Sequence, residues 1–134
     1  MDVMLHGWHD PARMTRAHEN VSDTPEGRHG HTPVTAADGI EEAFGLLKGR
    51  WKLLILFNLF GGKVLRFSAL ERVIPAISEK MLAQQLRSME TDGIVLRTVH
   101  PQVPPKVEYR LTEWGQSLCP ALDALLRWKE ARDR

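Results

Sequence analysis

The chain has 134 residues, 43% of them hydrophobic, which suits one domain with a real core. Its formal net charge of +1 excludes a polycation, and its single cysteine, Cys119, excludes an intrachain disulfide. No apolar run reaches the length of a membrane span and no continuous apolar signal segment opens the chain, so the expectation is a cytoplasmic protein without a membrane partner.

Residues 1–37 carry three arginines against five carboxylates, net −2, and the remainder fifteen basic against twelve acidic side chains, net +3. A mildly basic domain behind a mildly acidic arm is compatible with nucleic acid but does not demand it. The arm is rich in His, Pro, Gly, Thr and Asp without a sustained period, and is expected to be flexible. Asp10–Pro11 offers the start of one short helix through Ala17. Five of the six histidines lie here: His6, His9, His18, His29 and His31. No cysteine or closely paired carboxylate completes a metal site of recognisable spacing, so neither metal nor cofactor is expected.

A folded domain is expected over 38–134. Ile40, Ala43, Phe44 and Leu47 recur at helical spacing until Gly49, and Asp38 is placed to favour the positive end of that helix. Trp51, Leu54, Ile55 and Leu59 form the next helix, which Gly61–Gly62 stops. It contains the run LLILFNLF, apolar nearly all round, and should sit centrally. Leu65, Arg66 and Phe67 fit a short edge strand.

The stretch from Ser68 to Gly93 organises the rest. Ser68 and Glu71 have capping-box spacing, and Pro75 ends that helix by biasing Ile74 away from helical geometry. Ser78 offers a second N-cap, and Gly93 the stop. A short helix, a turn and a longer helix make a helix-turn-helix. At 100° per residue the second helix divides. Leu82, Gln85, Leu86 and Met89 fall on one side; Lys80, Ala83, Gln84 and Arg87 fall on the other. Arg and Lys suit guanine or phosphate and Gln suits adenine, and the N-terminal turn of such a helix is where bases are usually met. An ordinary solvated helix face would carry similar residues.

After Gly93 the period changes to that of a strand. Ile94 to Val99 and Val107 to Leu111 flank the loop HPQVPPK, which predicts a hairpin, the wing of a winged helix. Lys106 is placed to meet a phosphate or a minor groove, with His100 and Gln102 as weaker candidates. Thr112 and Glu113 open a last helix, kinked at Pro120, on which Trp114, Leu118, Ala121, Leu122, Leu125 and Trp128 form a broad apolar stripe. The stripe exceeds what one helix on a small domain needs, so a homodimer is expected, with Leu125 among the contacts. Cys119 is expected to be buried and inert. The fold class is therefore mainly α with a small β-hairpin, a winged helix-turn-helix.

The segments GRWKLLIL, RFSALERVIPAISEKMLAQQLRSMETDGIV and VPPKVEYRLTEWGQSL closely resemble the HxlR-type bacterial transcriptional regulators, winged-helix proteins related to the MarR-like regulators. The resemblance covers about Ile40 to Trp128. It implies a dimeric regulator of double-stranded DNA operators, usually a repressor, whose first and last helices build the dimer. That would put Ile40, Phe44, Leu122 and Trp128 at or near the interface, the helix from Ser78 in the major groove and the 100–106 wing beside it. Arg66, Ser78, Lys80, Gln84, Arg87 and Lys106 are the candidate DNA-binding residues. Members often carry a Cys-Pro pair thirteen residues before the tryptophan of the GRW motif; here Asp38–Gly39 stand there, so thiol sensing at that position is lost. A small-molecule effector is compatible with this reading, although no residue set marks its site.

Two other functions compete. A winged helix that binds protein would show neutral or acidic residues on the recognition face, which Lys80, Arg87 and Lys106 oppose and only Glu79 favours. An enzyme is not expected: no base lies near Ser78 in sequence, and no Gly-rich phosphate loop is present.

Overall fold

The computed structural model describes residues 30–133. The suggested helix from Asp10 to Ala17 and His6, His9, His18 and His29 lie outside them, as does most of the expected flexible arm. The chain divides into two units, Met1–Leu46 and Leu47–Arg134.

In the first unit the described residues form α1, Pro33–Leu46. This helix opens several residues before the expected start near Ile40. Thr32 is its cap: Thr32 Oγ1 accepts from the Thr35 N–H at 3.2 Å, and Thr35 Oγ1 accepts from the Thr32 N–H at 2.9 Å. Pro33 follows at the first helical position, where its missing N–H costs nothing. Asp38 therefore lies inside the helix, not at its positive end, and the first turn holds no acidic residue.

The second unit holds α2 (Arg50–Leu59), β1 (Leu65–Arg66), α3 (Phe67–Val73), α4 (Glu79–Thr91), β2 (Val95–His100), β3 (Lys106–Leu111), α5 (Glu113–Gln116) and α6 (Cys119–Arg132). The three strands form an antiparallel sheet in the order β1-β3-β2. The expected edge strand joins the hairpin as its third strand, with Leu65 opposite Tyr109 and Arg66 opposite Glu108, but it stops short of Phe67, which begins α3. Alternation sends Tyr109 and Val95 into the core, with Leu65, Val107 and Leu111 packed against it. The central helix contributes Ile55, Leu56 and Leu59, and α4 contributes Leu82, Leu86 and Met89. Leu70, Ile74 and Ile77 close the core from α3 and its turn. Although α2 is apolar nearly all round, it buries one side only. Leu53 and Phe57 stay exposed, and the Phe57 ring meets Phe60 edge-on with centroids 5.4 Å apart.

Two expected helix boundaries differ. Ser68 is not a cap: α3 already begins at Phe67, with Arg66 in the capping position and no side-chain cap. Pairing with β3 fixes Arg66 in extended geometry, so the strand itself hands the chain into the helix. The single kinked last helix is two helices. Pro120 deep inside a helix would lack a donor and crowd the Gln116 carbonyl. The chain instead leaves α5 after Gln116 and starts α6 afresh, with Pro120 in its first turn.

Candidate nucleic-acid interface

The turn between α3 and α4 is built locally. Ile74 is extended, as its position before Pro75 requires, and its N–H still reaches the Leu70 carbonyl. Ala76 takes a left-handed φ of 64°, which reverses the chain and drops Ile77 into the core. Ser78 then caps α4, its Oγ accepting from the Met81 N–H at 3.0 Å. At the far end the Ile94 N–H reaches the Met89 carbonyl and the Gly93 N–H reaches that of Glu90, a Schellman stop with Gly93 at φ 79°.

Within α4 the two faces separate as the spacing predicts. Leu82, Leu86 and Met89 are buried, while Lys80, Gln84 and Arg87 are exposed on the opposite side. Gln85 lies at the margin, its amide 3.4 Å from the Met81 sulfur. The buried stripe fixes the helix against α2 and β2, so the exposed face is held in a set orientation. Ser78 stands exposed at the N-terminal end of that face. Its oxygen is engaged by the cap, which leaves its O–H to donate to an acceptor.

The wing is the hairpin of β2 and β3, joined through residues 101–105. Its tip residue Val103 is fully exposed. Lys106 does not stand as a free cation. It opens β3 with its Nζ 3.5 Å from Glu108 Oε2, while His100 Nε2 lies 2.7 Å from Glu108 Oε1. The His100 hydrogen bond, with Lys106 adding, holds the Glu108 carboxyl below its ordinary range, against a smaller opposing effect of burial. Glu108 was not among the sequence candidates. Its spacing of two from Lys106 is visible in KVEYR, but the pairing of His100 with Lys106 depends on the loop closing in this register. Arg66 is exposed on β1 beside Glu108, whose oxygens are taken by His100 and Lys106.

The residues expected at a dimer contact divide. In α1 no residue is buried, and Ile40 and Phe44 are each 56% exposed. In α6, Leu125, Leu126 and Trp128 are exposed, Trp128 at 67%. Leu122, expected at or near the interface, is buried in the domain's own core. The stripe is wide enough that its one edge packs inward. Cys119 is half-buried against the core, not fully enclosed. Among the described residues no group of metal-ligating side chains occurs, and no helix is long and apolar enough to cross a membrane.

A family model for HxlR-like helix-turn-helix proteins matches residues 46–133. The HTH-type transcriptional regulator YtcD of Bacillus subtilis strain 168 is 49% identical over 89 residues, covering 66% of this chain and 70% of the relative. A crystal structure described as a MarR-family regulator from Enterococcus faecalis V583 superposes with a TM-score of 0.69 at 37% identity, covering 72% of this chain and 87% of that one. The redox regulator HypR in its reduced form gives 0.65 at 40% identity, covering 71% and 93%. The matched span takes in α2, the capped helix pair, the wing and the closing helices, so the geometry and the likeness describe the same elements. The chain belongs to the HxlR-like helix-turn-helix family, a winged-helix family of transcriptional regulators and not of enzymes.

Proposed function

We propose that this chain is a homodimeric, sequence-specific operator-binding protein that reads the major groove with α4 and the DNA backbone or minor groove with its wing. The observation that carries the reading is the split of α4. Three long polar side chains, Lys80, Gln84 and Arg87, share the face opposite a fully buried stripe. Gln84 and Arg87 read base edges; Ser78, Lys80, Arg66 and Lys106 hold phosphates. Ile40 and Phe44 of α1, and Leu125 and Trp128 of α6, are apolar side chains that water covers in the monomer and a second copy covers in the dimer. Operator occupancy represses, in keeping with the resemblance to a family whose members usually do so.

The test is binding to the duplex upstream of the chain's own coding region and to a scrambled duplex of the same length. Gln84→Ala and Arg87→Ala should each cost about 1–3 kcal/mol on the upstream duplex and little on the scrambled one. Equal losses on both would reduce these residues to backbone contacts. Equal affinity of the unaltered protein for both duplexes would refute sequence-specific reading of that site.

A further inference from the structure

The wing carries a polar cluster of which the proposed function uses Lys106 alone. Lys106 and Glu108 point to the same side of β3, and His100 lies across from Lys106 on β2. This is the sheet face away from the core, since Tyr109 and Val95 occupy the other. Glu108 has both oxygens engaged, Oε1 by His100 Nε2 at 2.7 Å and Oε2 by Lys106 Nζ at 3.5 Å. The remaining charged groups on this face are Arg66 on β1, opposite Glu108, and Arg110 on β3, one alternation further along; Thr98, opposite Glu108 on β2, is uncharged.

An ionised carboxylate only accepts hydrogen bonds, so His100 Nε2 must be the nitrogen that carries hydrogen. A neutral imidazole has one N–H, and here it is committed to Glu108. The other nitrogen, Nδ1, then presents a lone pair. It has no hydrogen-bond partner among the described residues, and the side chain is 42% exposed. A DNA phosphate is likewise only an acceptor, so it gains nothing from that lone pair. Protonation reverses this. The imidazolium donates from both nitrogens, keeping Glu108 on Nε2 and offering Nδ1–H outward. The three-residue cluster meanwhile passes from no net charge to +1.

We propose that His100 is a phosphate ligand of the wing that binds DNA only in its protonated form, with Glu108 as the positioning residue that fixes its tautomer. This rests on the reading of the chain as a DNA-binding protein. Binding then takes up a proton at His100, and affinity rises as the solution becomes more acidic. Glu108 does not oppose the phosphate as a bare anion, because His100 and Lys106 cover both of its oxygens.

The experiment measures affinity against salt concentration for the full chain, at about pH 8 and about pH 5.5, bracketing histidine titration. The upstream and scrambled duplexes are both used, since phosphate contacts are independent of sequence. For the unaltered protein the log–log salt slope should steepen by about 0.9 per protomer contact at the lower pH. In His100→Gln, which keeps an N–H donor for Glu108 but never gains charge, the steepening should be smaller by that same amount of about 0.9 per protomer. The imidazole proton resonance of His100 should titrate at higher pH in the complex than in the free protein, a readout that needs no variant. An unchanged salt slope between the two pH values, with a resonance that titrates alike free and bound, overturns the proposal. If the increment appears on both duplexes with equal affinity, the wing assignment stands and only sequence-specific reading fails. If neither duplex is bound at either pH, both readings fall.

Discussion

Gly115 leaves no room for a side chain. It is buried in α5, and a Cβ built on it would stand 2.4 Å from the Ile94 carbonyl oxygen and 3.2 Å from its carbon. That oxygen accepts from the Thr112 N–H, and Thr112 Oγ1 accepts from the Gly115 N–H at 3.0 Å. The contact therefore meets backbone already tied into place, which has no rotamer by which to yield. Gly115→Ala should lose about 1–3 kcal/mol of stability, read from the denaturant midpoint at unchanged m-value. An unaltered midpoint would mean that α5 slides freely on the start of the sheet. Glu108 is tuned in the opposite sense, by partners and not by space. Its carboxyl titrates below its ordinary value because His100, and then Lys106, favour the ionised form. A carboxylate lowered in the folded state contributes stability above its unfolded pKa and loses it as pH falls through the folded value. Any acid sensitivity from Glu108 thus lies below the ordinary glutamate range.

At the scale of the element, the helix-turn-helix contains a strained joint. Ala76 holds φ 64°, a region that costs an L-residue roughly 1–2 kcal/mol. Glycine removes that cost but gives the unfolded chain more freedom, worth about 0.4–1 kcal/mol in the other direction. Ala76 is exposed, so no packing is lost. Ala76→Gly should stabilise the protein by up to about 1.6 kcal/mol, measured by thermal or denaturant unfolding. A clear destabilisation would show that the methyl group supports the turn. The joint matters for DNA because Ile77 anchors its far side in the core and Ser78 starts α4 immediately afterwards. The angle of the exposed Lys80–Arg87 face follows from this turn and from the buried stripe beneath it.

At the scale of the whole molecule, the apolar stripe of the last helix has two different environments. Leu122 is 9% exposed and belongs to the core, whereas Trp128 is 67% exposed. Substitution separates the two roles. Leu122→Ala should lower stability by about 2–5 kcal/mol, as for other buried leucines. Trp128→Glu should leave folding intact and weaken self-association by at least about 2 kcal/mol, the scale of an aromatic hot spot. Sedimentation at micromolar concentration reads the difference. An unaltered protein that sediments as a monomer, or a Trp128→Glu dimer indistinguishable from it, would remove α6 from the interface.

What the sequence alone determined is the local part of the architecture, where the cause lies within a few residues. The Ser78 cap, the Pro75 break and the Gly93 stop each arise from a nearby backbone requirement, and each stands where the spacing places it. The division of α4 into buried and exposed faces follows from helical period alone, and so the candidate recognition face was legible before any fold was known. Tertiary structure decided whatever needed a partner distant in sequence. Arg66 stands in the capping position that Ser68 was expected to fill, because β3 holds β1 extended up to the helix. Leu122 is buried in the core because the rest of the domain covers that edge of α6. Lys106 is a member of a cluster and not a lone cation, because the hairpin register brings His100 and Glu108 to it. Spacing fixes which side of its own element a residue occupies; only the pairing of elements fixes what meets it there.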